Sequence, residues 1–433
     1  MRTGADARAV LFRASTWQRR TTWAWVCGTL LLAVLSAGAA RAIDASRHSS
    51  APFEAYFLAR SYAPGSLATL RVRGGSSRLT IQIFHVGPER GRTPGDSTLR
   101  GVPVAPEHVV RSTHEDGWST IAVRLQYWQS GFYFARVRAR AGRVYFAPFV
   151  LRAALHLESR VAVVMPTNTW AAYNFRDDDH DGVPNTWYAN EAVTTVDLSR
   201  PFLHRGVPPH FRAYDSGFLR WLALTGKSPD FYADDDLEHL HGRGLARRYD
   251  LIVFPGHHEY VTTNEYDAIE RYYRAGGNLM FLTANNFFRR VVRSGTKITR
   301  TEKWRDLGRP ESRWMGVQYV DWYQEKFVNR SFQVVGAQHA PWLFAHTGLK
   351  NGDRFGVFGI EIDARTPESP PGTQVLATMP NIFGPGKTAE MVVHTTPAGA
   401  KVFSAGAMTL AGSALYPPMR ELITNLWDEL SKP

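Results

Sequence analysis

The 433-residue chain is nearly devoid of cysteine: its one thiol, Cys27, lies inside an apolar N-terminal segment. That segment has the order of an export signal, with Arg19 and Arg20 ahead of an apolar run at 23–35, then small residues and an Ala40-Arg41-Ala42 site. Cleavage after Ala42 is expected, with retention as an anchor of near-minimal length as the alternative, and the location implied is periplasmic or secreted. The mature chain then carries no thiol, which excludes disulfide scaffolding, zinc–thiolate centres and a cysteine nucleophile. Any metal must be held by oxygen or imidazole. No later run is long and apolar enough to span a bilayer, so no membrane contact is expected after cleavage. No basic run is interleaved with aromatics, so nucleic acid is not an expected partner. Removing residues 1–42 takes away six basic residues and one acid, and the formal charge falls from +12 to +7, too mild a surplus to specify a partner. Internal repeats and low-complexity tracts are also absent.

What is present divides the chain into a leader (1–42), a first domain (43–152) and a second (153–433). The first reads as short strands between turn signals, with clear alternation at 79–86 and further strands at 120–125, 131–137 and 144–146, which predicts a small all-β sandwich of immunoglobulin-like type. From Arg160 the pattern changes to continuous apolar runs at 161–165, 251–254 and 279–283, separated by helical spacing at 217–224 and 264–274. Thr262 or Thr263 caps the second helix and Gly276-Gly277 ends it. This predicts an α/β domain with a doubly wound, mostly parallel sheet of the glutamine-amidotransferase or flavodoxin kind. Further strands are expected at 355–362, 390–394 and 401–405, and a last helix near Pro417. Residues 289–313 read as a solvated, charged insertion, and Asp234-Asp235-Asp236 as the N-terminus of a helix.

Open α/β sheets bind ligands beyond the carboxyl ends of their strands, so the residues that follow each apolar run are informative. They are unusually polar. The first run is followed by Pro166-Thr167-Asn168-Thr169-Trp170-Ala171-Ala172-Tyr173-Asn174, the second by Pro255-Gly256-His257-His258-Glu259-Tyr260, and the third by Ala284-Asn285-Asn286-Phe287-Phe288.

The first of these, Gly256-His257-x-Glu259-Tyr260 within the second, and Gly276-Gly277-Asn278-Leu279-Met280-Phe281-Leu282-x-x-Asn285-x-Phe287 leading into the third resemble the signature segments of the N,N-dimethylformamidase large-subunit family, over most of residues 155–290. Weaker similarity continues through Gly359-Ile360-Glu361-Ile362-Asp363 and Val402-Phe403-Ser404-Ala405-Gly406, and upstream at Tyr127-Trp128-Gln129-Ser130-Gly131-Phe132-Tyr133. The resemblance implies a mononuclear ferric ion held by two tyrosines and a glutamate. Motif by motif these are Tyr173, Glu259 and, for the second tyrosine, Tyr214, with Tyr188 as the alternative. His257 and Asn285 fall on the neighbouring catalytic positions. Two phenolates and a carboxylate are hard oxygen donors of matching charge for a small trivalent ion. The chain departs from the family where Val261 follows Glu259-Tyr260 in place of tryptophan, and in an acidic insert after Tyr173.

That insert holds a second metal candidate. Asp177-x-Asp179-x-Asp181-Gly182 has the spacing with which a loop wraps carboxylates around calcium, with Asn185 at a later ligand position, although Tyr188 stands where the closing glutamate is usual. The function expected is hydrolysis of a C–N bond in a small amide. An exported binding protein that keeps the fold without turnover is the alternative. Partners expected are the amide, further copies of the chain or a small second subunit.

Overall fold

The computed structural model describes residues 52–433 apart from 75–77, 112–116, 141, 154–158 and 324–327. The leader expected at 1–42 lies outside the described residues. Among the described residues twenty-four strands fall into four sheets. Leu67–Arg73, between Glu54–Phe57 and Trp118–Arg124, makes a three-stranded antiparallel sheet. It faces a six-stranded sheet built on Arg78–His85, Gly131–Ala139 and Val144–Leu151.

The six-stranded sheet is buried on both faces, and its sequence shows why. Along Gly131–Ala139, Tyr133, Ala135 and Val137 point into the sandwich, while Phe132 and Phe134 point the other way into the largest core of the molecule. Val144–Leu151 repeats the division, with Tyr145, Ala147 and Phe149 on one side and Phe146 and Val150 on the other. The period of two thus supplies two apolar faces. Because Phe134 stacks on Phe84 at 5.1 Å and edges onto Phe146, Phe134→Ala should cost the whole chain about 3–5 kcal/mol. Chemical denaturation should show this as a shift of one shared transition; a separate, early transition for the sandwich would contradict the joint core.

The expected doubly wound, mostly parallel sheet is not what residues 160–433 form. The protein is mostly β, and its largest sheet has eleven strands in mixed orientation. Only Asp230–Ala233, Val161–Met165, Leu251–Phe254, Asn278–Phe281 and Lys401–Ser404 run parallel. Next to them Ala389–Thr395, Gln374–Met379, Asn329–Val334, Arg354–Ala364 and Gln318–Trp322 continue antiparallel. The apolar runs at 161–165, 251–254 and 279–283 do mark parallel strands, but they represent only one half of the sheet. Gln374–Met379 joins Ala389–Thr395, and Ala389–Thr395 joins Lys401–Ser404, through short connections that hold no helix, and short connections require antiparallel pairing.

Helix Ser216–Leu224 packs on one side of the parallel stretch and Thr263–Arg274 on the other. The latter begins with a capping box, the Thr262 hydroxyl accepting from Glu265 N (3.2 Å) and the Glu265 carboxylate from Thr262 N (2.7 Å). The segment 289–313 is not a merely solvated insertion. Arg289–Ser294 and Lys297–Lys303 join Thr195–Asp197 and Tyr260–Val261 in a four-stranded sheet, burying Val291, Ile298 and Trp304. Asp234–Leu237 is a short helix with three aspartates in its first turn, two of them buried.

Candidate functional site

Three loops leave the ends of the parallel strands and meet. Val161–Met165 passes through Pro166 into a six-residue helix, Thr167–Ala172, buried throughout, which delivers Tyr173 at its C-terminus. Thr169 Oγ1 in that helix accepts from Glu259 N at 3.0 Å and so ties the first loop to the second. The second loop needs Gly256, because a Cβ there would stand 2.3 Å from Asp215 Oδ1. The third turns through Asn285, a non-glycine residue held at φ +55. Its backbone N–H donates to Asp363 Oδ1 at 2.8 Å, and its side-chain amide donates to Glu361 Oε2 at 2.6 Å.

Glu361 enters from the antiparallel strand Arg354–Ala364, directly after Ile360 at φ +68. A β-branched residue is rarely found in that region, and such strain concentrates at functional sites.

Glu259 is the hub. Its Oε2 accepts from Tyr173 Oη (2.9 Å) and Tyr188 Oη (2.7 Å), and Tyr188 Oη lies 2.5 Å from Tyr260 Oη. Tyr173 also reaches Glu361 Oε1 at 3.4 Å. His257 Nε2 lies 3.6 Å from a carboxylate oxygen of both Glu259 and Glu361. Burial raises the pKa of both glutamates, and the charge of Glu259 adds to the rise at Glu361. Tyr173 and Tyr188 are pushed up by burial and by the charge on Glu259, whereas burial holds His257 well below the ordinary histidine range. Among the described residues no lysine or arginine pairs with either glutamate. Glu259 is buried and Glu361 partly so, and two carboxylates this close are accommodated either by sharing a proton or by a cation between them.

Tyr173, Glu259, His257 and Asn285 are therefore brought together. Tyr214 lies on the other side of His257, ring centroids 6.4 Å apart, and stacks on His210. Its hydroxyl is raised by burial first and by Glu361 second. The second hydroxyl on Glu259 is that of Tyr188, at the end of the acidic insert. Sequence reasoning gave no role to Glu361 or Tyr260. A charged residue on a strand whose other inward positions are Phe355, Phe358 and Ile362 is the signal that could have found Glu361.

Asp177, Asp179 and Asp181 sit apart from this group, with ligand oxygens within 4.8 Å of one another. The loop is closed on itself: Gly182 N donates to Asp177 (3.0 Å), Val183 N to Asp181 (2.7 Å) and the Asn185 amide to Asp179 (3.2 Å).

A family model described as "N,N-dimethylformamidase beta subunit-like, C-terminal" matches residues 81–416. No curated protein sequence matches the chain. Among solved structures, an uncharacterised Bacillus anthracis protein shares 12% identity, covering 31% of this chain and 98% of its own, with a TM-score of 0.17. A superoxide reductase (neelaredoxin) from Ignicoccus hospitalis shares 15% identity, covering 23% of this chain and 80% of its own, with a TM-score of 0.15. Neither similarity extends to the overall fold.

Proposed function

The chain belongs to the N,N-dimethylformamidase beta subunit-like family, and from that premise we propose that it is an exported, metal-dependent hydrolase of a C–N bond in a small amide, with a ferric ion as its metal. The observation that carries this reading is the meeting of the Tyr173 and Tyr188 hydroxyls with the Glu259 and Glu361 carboxylates, to which, among the described residues, no lysine or arginine is ion-paired. Phenol and carboxylate oxygens are the donors that suit a hard cation, and His257 Nε2 and Asn285 Oδ1 are buried beside them without hydrogen-bond partners among the described residues. Tyr173 and Glu259 would hold it with a second tyrosine, which is Tyr214 by family resemblance and Tyr188 by its hydrogen bond to Glu259. Bound there, such an ion polarises a carbonyl and acidifies a water.

The chain's own groups supply the rest. One N–H of the Asn285 amide is committed to Glu361, and the other is free to donate to the amide oxygen as charge builds on it. His257 Nε2 takes the proton that water loses as its oxygen bonds to the carbonyl carbon, and delivers it to nitrogen as the C–N bond breaks. The products are an acid and an amine. Glu361 orients Asn285 and faces His257.

Phenolate on ferric iron absorbs visible light, so the mature protein should be coloured, with iron near one per chain by elemental analysis. Tyr173→Phe should bleach it, and whichever of Tyr188→Phe and Tyr214→Phe also does so identifies the second ligand. A colourless, iron-free protein inactive on small amides would favour a binding protein that keeps the fold.

We also assign calcium to Asp177, Asp179 and Asp181. Millimolar calcium should raise the melting temperature by a few degrees, as expected for a ligand of the native state, and Asp179→Ala should abolish the rise. The family's name refers to a subunit, and we propose a small second subunit, which co-purification from the native source would test.

A further inference from the structure

A cavity of about 530 Å³ opens where the sandwich meets the acidic insert and the four-stranded sheet, and none of its lining residues belongs to the site around Glu259. The volume is in the range of small-molecule sites, about 300–1,000 Å³. Tyr56 and Trp118 form one wall, edge to face with centroids 5.1 Å apart, and the Arg73 guanidinium lies 5.5 Å from the indole. Asp178, Asp179 and Asn185 also line the cavity, as does the exposed Lys297, the cross-strand partner of Asp197.

These groups are held before any ligand arrives. The buried guanidiniums of Arg176 and Arg200 both grip Asp178, at 2.6 Å for Arg200, while the Asp178 carboxylate keeps about a third of its surface exposed. Arg176 also pairs with Glu54, which pairs with Arg73 at 3.2 Å, so one ion network runs behind the cavity. Fixed donors and acceptors lower the ordering cost of binding.

The mixture of signs identifies the ligand class. With Asp179 assigned to calcium, an anion entering the cavity would still meet Asp178 and Asp197, an organic cation would meet Arg73 and Lys297, and an apolar molecule would strip water from all of them without replacing it. A neutral molecule rich in hydroxyl groups satisfies both signs, because each hydroxyl donates and accepts. Its carbon–hydrogen face suits an aromatic wall. We propose that this cavity is a saccharide-binding site, separate from the hydrolytic centre.

The test uses the full mature chain and follows tryptophan fluorescence and calorimetric heat with maltose, cellobiose and diacetylchitobiose, against glucuronate and glucosamine as charged counterparts. At least one neutral disaccharide should bind, and more tightly than either charged sugar. Trp118→Ala should weaken it about tenfold or more, the loss expected when a buried aromatic contact is removed. Lys297→Gln, an exposed change that should not disturb folding, should weaken it about threefold, roughly the effect of one modest hydrogen bond. Absence of binding by all three neutral sugars at about 50 mM, tighter binding of a charged sugar, or full affinity in Lys297→Gln would overturn the assignment.

Discussion

Replacing Glu259 by alanine is expected to remove iron and amide hydrolysis together, because this carboxylate is the one group touched by both Tyr173 and Tyr188. Iron should fall below about a tenth of an equivalent, and kcat/KM by about a thousandfold or more, the scale lost with a group that binds the reacting centre. Glu361→Gln should behave differently. It preserves a partner for the Asn285 amide but removes the carboxylate that faces His257, so colour and iron should persist while kcat falls. If Glu259→Ala keeps full iron, or if Glu361→Gln bleaches the protein as completely as Tyr173→Phe, the division between ligand and positioning group is wrong.

The second large effect is on stability against pH. Burial pushes the Asp363 carboxyl up to about 7, although it accepts the backbone N–H of Asn285, and pushes Glu311 up to about 7 in spite of its ion pair with Arg305. An unfolded aspartate releases its proton near pH 4. Between about pH 4 and 7 the native state therefore holds protons on these two groups that the unfolded chain has lost, so their contribution to stability is fully present below that window and is lost as pH rises through it. Each pKa unit is worth about 1.4 kcal/mol, which makes the Asp363 contribution on the order of several kcal/mol. Asp363→Asn keeps an acceptor for Asn285 and removes the titration. Its melting temperature should fall less than that of the wild type between pH 5 and pH 8; parallel declines would show that Asp363 does not titrate in this window.

Much of the site was legible because it is built from consecutive residues after apolar runs. Pro166 to Tyr173, Pro255 to Tyr260 and Ala284 to Phe288 are short loops whose geometry follows directly from the strands before them, so sequence position nearly fixes position in space. Tyr188 was open as an alternative for a related reason: the acidic insert has no periodicity to say whether its far end returns to the strand ends. It does return, carried by Trp187, which packs on Tyr260 and donates to its hydroxyl at 3.1 Å.

The sequence by itself determined the alternation at 79–86, the continuous apolar runs at 161–165, 251–254 and 279–283 and the three polar loops, since each of these is a property of neighbouring residues, whereas strands such as Asp230–Ala233, Arg289–Ser294, Lys297–Lys303 and Gln374–Met379 emerged only in the structure. The order and direction of strands in the large sheet were decided only by the tertiary structure. Continuous apolar runs report burial on both faces, and burial is the same whether the next strand is parallel or antiparallel. The antiparallel half places Arg354–Ala364 so that Glu361 meets Asn285, Tyr173 and His257. No local pattern encodes that meeting, because it depends on the pairing of Asn329–Val334 with Gln374–Met379 and on the positive φ of Ile360, which together aim one carboxylate at loops from the other half of the sheet.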